Sequence, residues 1–255
     1  MNNIVNVLWT GGLDSTYRIA ELSRWGGVNI QPYYIMLPDR DSAKYELRAI
    51  NRITQMIRKN PQTSAILHDV KIVSADNIPQ DAAVDAEMAR LTKKYRLGGQ
   101  YGYIARLANS MKQYLEVSLE ASPRSKAHNT VNQELNLVQD SILFNGIDYG
   151  TYRYLSNKTT EGHPELVFRY IALPASIKGM TKLDEKEGFT KLGLEECYRA
   201  TWFCHLPVFG MPCGRCNPCR DALNEGMSDR VPYLGRILGI CRNQVVKCKN
   251  ALAKT

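Results

Sequence analysis

The amino-acid sequence predicts an α/β fold, a doubly wound parallel sheet with a cysteine-rich C-terminal subdomain. Three observations point there: an apolar run that passes through a glycine loop into a helical stretch at the N-terminus, an alternation of strand-like and helix-like segments through the first half, and four closely spaced cysteines near the C-terminus. At 255 residues, 44% of them hydrophobic, the chain is long enough for one large α/β domain with a small appended lobe. The expected division is residues 1–180 for the α/β domain and 181–255 for a helical lobe that carries the cysteines.

Taken in order, Ile4-Val-Asn-Val-Leu-Trp9 suits a buried parallel strand. Tyr17 to Arg24, with Ile19, Ala20 and Leu22 at helical spacing, reads as a helix closed by Gly26-Gly27. Ile30 to Leu37 is a second strand, and Ser42 to Arg58 an amphipathic helix with Leu47, Ile50, Ile53 and Ile57 on one face and Ser42 as N-cap. Ala65 to Val73 reads as a third strand and Ile78 to Arg96 as a helix. Gly98 to Gly102 breaks that helix before another from Tyr103 to Tyr114, and Leu115 to Leu119 is a strand. Ala121 to Glu161 is less regular, with a loop over Ser122 to Thr130, a helix near Val131 to Asp140 and a mobile segment around Asp148 to Gly162. Leu166 to Leu173 resumes a strand ending at Pro174, Lys182 to Gly193 is a helix continued over Leu194 to Arg199, and the basic stretch Val231 to Lys254 is helical. In such a sheet the ligand lies beyond the carboxyl ends of the strands, where the residue 10–16 loop and the residue 98–102 break both fall.

The loop itself is Thr10-Gly-Gly-Leu-Asp-Ser-Thr16. Gly11 and Gly12 lack Cβ atoms, so a phosphate oxygen can approach the main chain, and amides at the start of the following helix point at it along the favourable end of the dipole. Thr10, Ser15 and Thr16 add hydroxyls. The pattern is not GxxxxGK[ST], because no lysine closes it and Asp14 stands inside; an acid beside phosphates makes sense chiefly with Mg²⁺ between them.

Cys204, Cys213, Cys216 and Cys219 lie in Thr201-Trp-Phe-Cys-His…Pro212-Cys-Gly-Arg-Cys-Asn-Pro-Cys219, a spacing that brings four thiolates within reach of one tetrahedral ion. A closed set of four is the geometry of a structural Zn²⁺ site, hence a zinc-knuckle subdomain, with Gly214 and Pro218 turning the backbone between ligands. Disulfides are the competing reading, but the N-terminus opens on a strand-like run without a signal-peptide pattern, so a reducing cytoplasm is expected. Cys197 reads as a buried inert thiol, with a reactive one as the alternative. The net charge of +8 suits anionic ligands, and no apolar stretch reaches the length of a membrane span.

Thr10-Gly-Gly-Leu-Asp-Ser15 resembles the SGGxDS loop of the N-type ATP pyrophosphatases (the PP-loop superfamily), with threonine in place of the usual first serine. The loop and the cysteine cluster together resemble one branch of it, the 7-cyano-7-deazaguanine synthases, which pair this loop with a C-terminal TWSCY…CGxCxxC segment. The resemblance covers the two ends of the chain. It implies an adenine nucleotide alpha hydrolase-like fold, with Thr10, Gly11, Gly12, Leu13, Asp14, Ser15 and Thr16 holding ATP and Mg²⁺ and the cysteines holding Zn²⁺. Pro174 and Thr181-Lys182 look like the family element that faces the nucleotide, so Asp14, Ser15 and Lys182 are the catalytic candidates, with Lys178 competing for the place of Lys182. The family's P-x-R-N segment is missing; Gly98-Gly-Gln-Tyr-Gly102 stands there instead, with Gly99 and Arg106 as substitute nucleotide contacts or, equally, as a helix cap and a solvated side chain.

The function implied is a carbon–nitrogen ligase: adenylation of a carboxylate, that of 7-carboxy-7-deazaguanine, with release of pyrophosphate, then attack by ammonia with release of AMP, and a second ATP-driven activation that dehydrates the amide to a nitrile. One alternative is a divergent relative, of the kind found in antiphage defence, that joins the activated base to a protein or nucleic acid. Another is a non-catalytic nucleotide sensor. The expected partners are the deazapurine carboxylate and ammonia, a protein acceptor in the first alternative, no membrane, and a second copy of the chain if it dimerises.

Overall fold

The computed structural model describes residues 3–38, 40–119, 125–144 and 146–241. In chain order the elements are β1 (Asn3–Leu8), α1 (Leu13–Leu22), β2 (Val28–Met36), α2 (Ala43–Lys59), β3 (Ile66–Leu67), β4 (Lys71–Ser74), α3 (Ala82–Tyr95), α4 (Gln100–Met111), β5 (Leu115–Glu116), α5 (Lys126–Glu134), β6 (Leu135–Asp140), β7 (Leu143–Phe144), β8 (Ile147–Asp148), β9 (Thr151–Asn157), α6 (Glu165–Phe168), β10 (Ile171–Pro174), α7 (Lys182–Lys191), α8 (Glu195–Ala200) and α9 (Asn217–Asn224). Residues 233–241 are helical as well. No described helix is long and apolar enough to cross a membrane.

The main sheet runs β3-β2-β1-β5-β10-β9-β6, with β4 also paired to β2. From β3 and β4 through β10 every pairing is parallel; β9 joins β10 antiparallel and β6 joins β9 antiparallel. The period of two along each strand feeds two cores. Val7, Trp9, Ile30 and Tyr34 pack against α1, α2, α7 and α8, whereas Leu8, Tyr33, Leu115 and Ile171 pack against α3, α4 and α6. The chain is therefore α/β with a mostly parallel central sheet covered by helices on both faces. Because α7 and α8 join the core of the first face, the segment with a cluster of its own is the cysteine knuckle, around Cys204, Val208, Cys213, Cys216 and Cys219.

Several expected elements differ. The single strand over residues 65–73 is two short ones, because the Arg58 guanidinium bonds the Leu67 carbonyl at 3.0 and 2.7 Å and the Asp69 carboxylate at 2.8 Å, which draws the chain out of the ladder between them. The helix expected near Val131 to Asp140 ends at Glu134, and Leu135 to Asp140 is the strand β6. Glu134 is fully buried at that junction, where Arg90 at 2.8 Å and Thr159 at 3.0 Å donate to it. The segment expected to be mobile around residues 148–162 contains β9, whose Thr151-Tyr-Arg-Tyr154 start is built of residues that favour a pleated surface. Leu166 lies in α6, and only Ile171–Pro174 of the expected strand is extended. Helix α3 ends on Arg96, which takes the left-handed conformation (φ 59°), so Gly98 and Gly99 are not its cap. Ser42 occupies the N-cap position of α2 but donates its hydroxyl to the Glu46 carboxylate at 2.7 Å instead of accepting from an amide. The expected helix over residues 231–254 is seen as far as 241; the rest lies outside the described residues.

Candidate functional site

Strand β1 is flanked by β2 on one side and β5 on the other, so connections leave it in opposite directions and open a crevice at its carboxyl end. The residue 10–12 loop fills the start of that crevice, and Leu13 already begins α1, four residues before the helix expected from Tyr17. The Gly12 amide donates to the Thr10 hydroxyl at 3.3 Å, and the Thr10 amide to the Ser15 hydroxyl at 3.3 Å, so the loop is closed on itself by its own side chains.

The two glycines do different work. Gly11 has φ +72°, and a Cβ there would meet the Glu46 carbonyl at 2.9 Å and Ile50 Cγ1 at 3.3 Å, so its side faces α2. Gly12 has an ordinary φ of −76°, and its Cβ would point past Thr10 Oγ1 (3.2 Å) toward Trp202. Gly12 lines the crevice and Gly11 does not. From the opposite side the Trp202 amide donates to the Gly11 carbonyl at 2.8 Å, so the cysteine lobe grips the loop through the main chain.

The crevice has two lobes that share Thr10, Gly12, Leu13, Asp14, Arg40, Glu46, Tyr101 and Ser118. The first, about 260 Å³, runs under the ends of β1, β2 and β5 to the start of α4; the second, about 390 Å³, runs between the loop, α7 and the cysteine lobe. Asp14 projects at their junction from the first turn of α1 and forms an ion pair with Lys182 at the start of α7. Lys182 is set there by the N-cap before it. Thr181 accepts from the Asp184 amide and the Asp184 carboxylate accepts from the Thr181 amide at 2.7 Å, a complete capping box. Lys178 lies elsewhere, with its ammonium 3.9 Å from the centre of the Tyr152 ring.

The structure thus brings together Thr10, Gly12, Leu13, Asp14, Ser15 and Lys182. Four other expected contacts stand apart. Gly11 supports the loop from behind. Thr16 is fully buried, accepting from the Trp9 indole at 2.9 Å, and its amide closes the first helical turn on Gly12. Gly99 is exposed at the start of α4 and lines neither lobe, whereas Gln100 and Tyr101 do. Arg106 is buried against α3, paired with Asp85 at 2.5 Å and stacked over Tyr103, so it offers no charge to the crevice. Cys197 is a buried thiol whose burial pushes its pKa up to about 12.

Arg40 and Glu46 were not expected. Arg40 lines both lobes and forms a forked pair with Glu46, its Nε 3.0 Å and its Nη2 2.8 Å from Oε1. Glu46 is buried and also accepts from Tyr34 at 2.7 Å and from Ser42, which fixes the guanidinium. Their signal was position alone: Arg40 follows β2 at the carboxyl edge of the sheet. Burial raises the pKa of Tyr101, at the same junction, to about 12, with a further push from Asp14.

In the cysteine lobe the four sulfur atoms all lie within 4.8 Å of one another. Four sulfurs at about 2.3 Å from one zinc stand roughly 3.8 Å apart, close to the 3.9 Å between Cys204 and Cys216. Backbone amides of Cys213 and Cys216 donate to the sulfurs of Cys204 and Cys213 at 3.2 and 3.3 Å, the pattern that satisfies thiolates in a knuckle. Gly214 makes the turn with φ +68°, and a Cβ there would meet Arg236 Cγ at 2.8 Å. Hydrogen bonding with Cys204 and Cys219 holds the Cys216 thiol far below its usual range, while the bond with Cys216 raises Cys204 to about 12. Such crowding favours a cation among the sulfurs, so this is a group able to hold a metal.

Fold and site together define an α/β protein with a crevice at the switch point of a mostly parallel sheet and a four-cysteine group docked on the loop that forms it. No protein-family description matches the chain, and no curated protein is significantly similar to it.

Proposed function

We propose that the chain is an ATP pyrophosphatase-type ligase with an adenine nucleotide alpha hydrolase-like fold, which adenylates a carboxylate and passes it to a nitrogen nucleophile. The observation that carries this reading is the meeting of Gly12, Asp14 and Lys182, with Ser15 on the adjoining lobe, where β1 ends and α1 begins. Loop amides at a helix N-terminus bind phosphate oxygens, and Gly12 leaves their approach open. Asp14 is the residue placed to hold Mg²⁺, which would neutralise phosphate oxygens. The Lys182 ammonium stands opposite and stabilises negative charge as pyrophosphate leaves. The first lobe receives the nucleoside and the second the carboxylate. The pairing of Asp14 with Lys182 favours catalysis over nucleotide sensing, since a sensor needs no charge aimed at a leaving group.

Zinc, held by Cys204, Cys213, Cys216 and Cys219, has no chemical step in this scheme. It stabilises the lobe that supports the loop through Trp202 and Gly11.

The substrate class proposed is a deazapurine carboxylate, 7-carboxy-7-deazaguanine, with ammonia as acceptor. Incubation with ATP, Mg²⁺, that acid and ammonium, followed by mass spectrometry, tests it: free 7-cyano-7-deazaguanine is the expected product. A mass increment on a co-expressed protein or nucleic acid without free nitrile replaces ammonia by a macromolecular acceptor. Recovery of the acid unchanged, with no ATP consumed, overturns the proposal.

A further inference from the structure

The second lobe of the crevice contains a cation that the nucleotide scheme does not use. Arg230 closes the short 3₁₀ turn Ser228–Arg230 and lines that lobe but not the first. Its Nη2 donates to the Thr201 hydroxyl at 2.5 Å and to the Thr201 carbonyl at 3.1 Å. Its guanidinium carbon lies 4.5 Å from the centre of the Phe203 ring and 5.1 Å from that of Tyr198.

The other cations of this wall are matched: Arg40 is forked onto Glu46, and Lys182 is paired with Asp14. No carboxylate of the described residues lies within ion-pair distance of Arg230, whose Nε and Nη1 bond to none of them. A guanidinium has five donors in a planar fork, and only one nitrogen is engaged. Burial lowers its pKa, with the nearby Tyr198, Asp229, Asp14 and Glu185 acting the other way, and it shares the lining of the lobe with Asp14 and Lys182.

Arg230 is also held in place before any ligand arrives. Its partners Thr201 and Phe203 belong to the segment that leads into the first cysteine, and Trp202 between them bonds the loop. Thus the fork, the loop and the knuckle form one support. Tyr101, Trp202 and Phe203 give the same lobe an aromatic wall, and Trp202 is fixed by stacking on Tyr45 with ring centres 4.7 Å apart. A fixed planar fork beside fixed rings fits a flat aromatic ligand that bears an anionic group.

Resting on the proposed adenylation, we infer that this second lobe seats the acid substrate and that Arg230 binds its carboxylate, holding it next to the Asp14–Lys182 junction where the α-phosphorus would lie. Arg230 is a binding residue for the acid and not for the nucleoside, because it lines the second lobe and is absent from the first.

The test is binding of 7-carboxy-7-deazaguanine and of 7-deazaguanine, which lacks the carboxylate, without ATP, by titration calorimetry. The wild type binds the acid roughly tenfold or more tightly than the neutral base, the range of a charge-assisted hydrogen bond, and Arg230→Met removes that difference. Arg230→Lys, which keeps the charge but loses the fork, retains part of it; unchanged metal content and a cooperative melting transition show that either variant is folded. ATP affinity, measured separately, is unchanged in both. A wild type without preference for the acid, or a preference that survives in Arg230→Met, overturns the inference, as does loss of ATP affinity in that variant. Acid binding without any ATP consumption would instead sink the ligase reading and leave the site standing.

Discussion

The two glycines of the loop should respond oppositely to the same added methyl group. In Gly11→Ala the new Cβ enters a backbone with φ +72° and lies 2.9 Å from a main-chain carbonyl of α2, which cannot swing away as a side chain would. The left-handed conformation costs an alanine about 1–2 kcal/mol, and overpacking against a helix adds about 1–3 kcal/mol. The expected destabilisation is therefore about 2–5 kcal/mol, or a drop in melting temperature on the order of 5–15 °C for a chain of this size. Gly12→Ala has φ −76°, and its Cβ meets the Thr10 hydroxyl at 3.2 Å, which can rotate, and the Trp202 carbonyl oxygen at 3.7 Å, an ordinary contact. Its melting temperature should stay within about 2 °C of wild type, a surface-like change, whereas on the proposed function ATP turnover falls at least roughly a hundredfold because the methyl would occupy the phosphate approach. Calorimetric melting and ATP consumption on the same preparations check both. A Gly12→Ala protein that turns over ATP normally, or a Gly11→Ala protein that melts with wild type, would refute the separation of their roles.

Two further outcomes follow from buried groups. Protein purified without chelator should carry one zinc per chain, and Cys216→Ser should be insoluble or unfolded, since such a site contributes folding energy outright; a metal-free wild type with normal melting contradicts this. Glu21, buried beside Arg18 and bonded by Ser176 at 2.6 Å, has its pKa raised by burial from 4.5 to about 7. A raised folded pKa gives a stability contribution present in full below about pH 4.5 and lost as pH rises through about 7, on the order of 3 kcal/mol. Wild-type stability should thus fall between pH 5 and 8 by more than that of Glu21→Gln, and parallel pH profiles of the two in chemical denaturation would disprove the assignment.

What the sequence revealed was set by local chemistry, and what it hid was set by contacts far along the chain. The loop from Thr10 to Ser15 was legible because glycines, hydroxyls and one acid follow a strand directly, and the cysteines because their spacing alone brings the sulfurs together. Lys182 could be placed at a helix start, but its choice over Lys178 needed the fold that carries α7 to Asp14 across 168 residues of sequence. Arg106 was misplaced by the same limit: only the packing of α4 on α3 shows that Asp85 takes its charge. Thr16 looked like a loop hydroxyl, yet the helix begins at Leu13 and turns it inward to Trp9. Strands β6 and β9 were missed because each is stabilised by the other, a cross-strand contribution without a local period. Arg40 and Arg230 gave no motif at all; each matters through what surrounds it.

The central claim is that the crevice splits ATP between its α- and β-phosphates. Separating the nucleotide products after incubation with ATP, Mg²⁺ and the acid tests it directly. AMP and pyrophosphate in equal amounts are predicted, with turnover abolished and melting preserved in Asp14→Asn. ADP and inorganic phosphate would contradict the account.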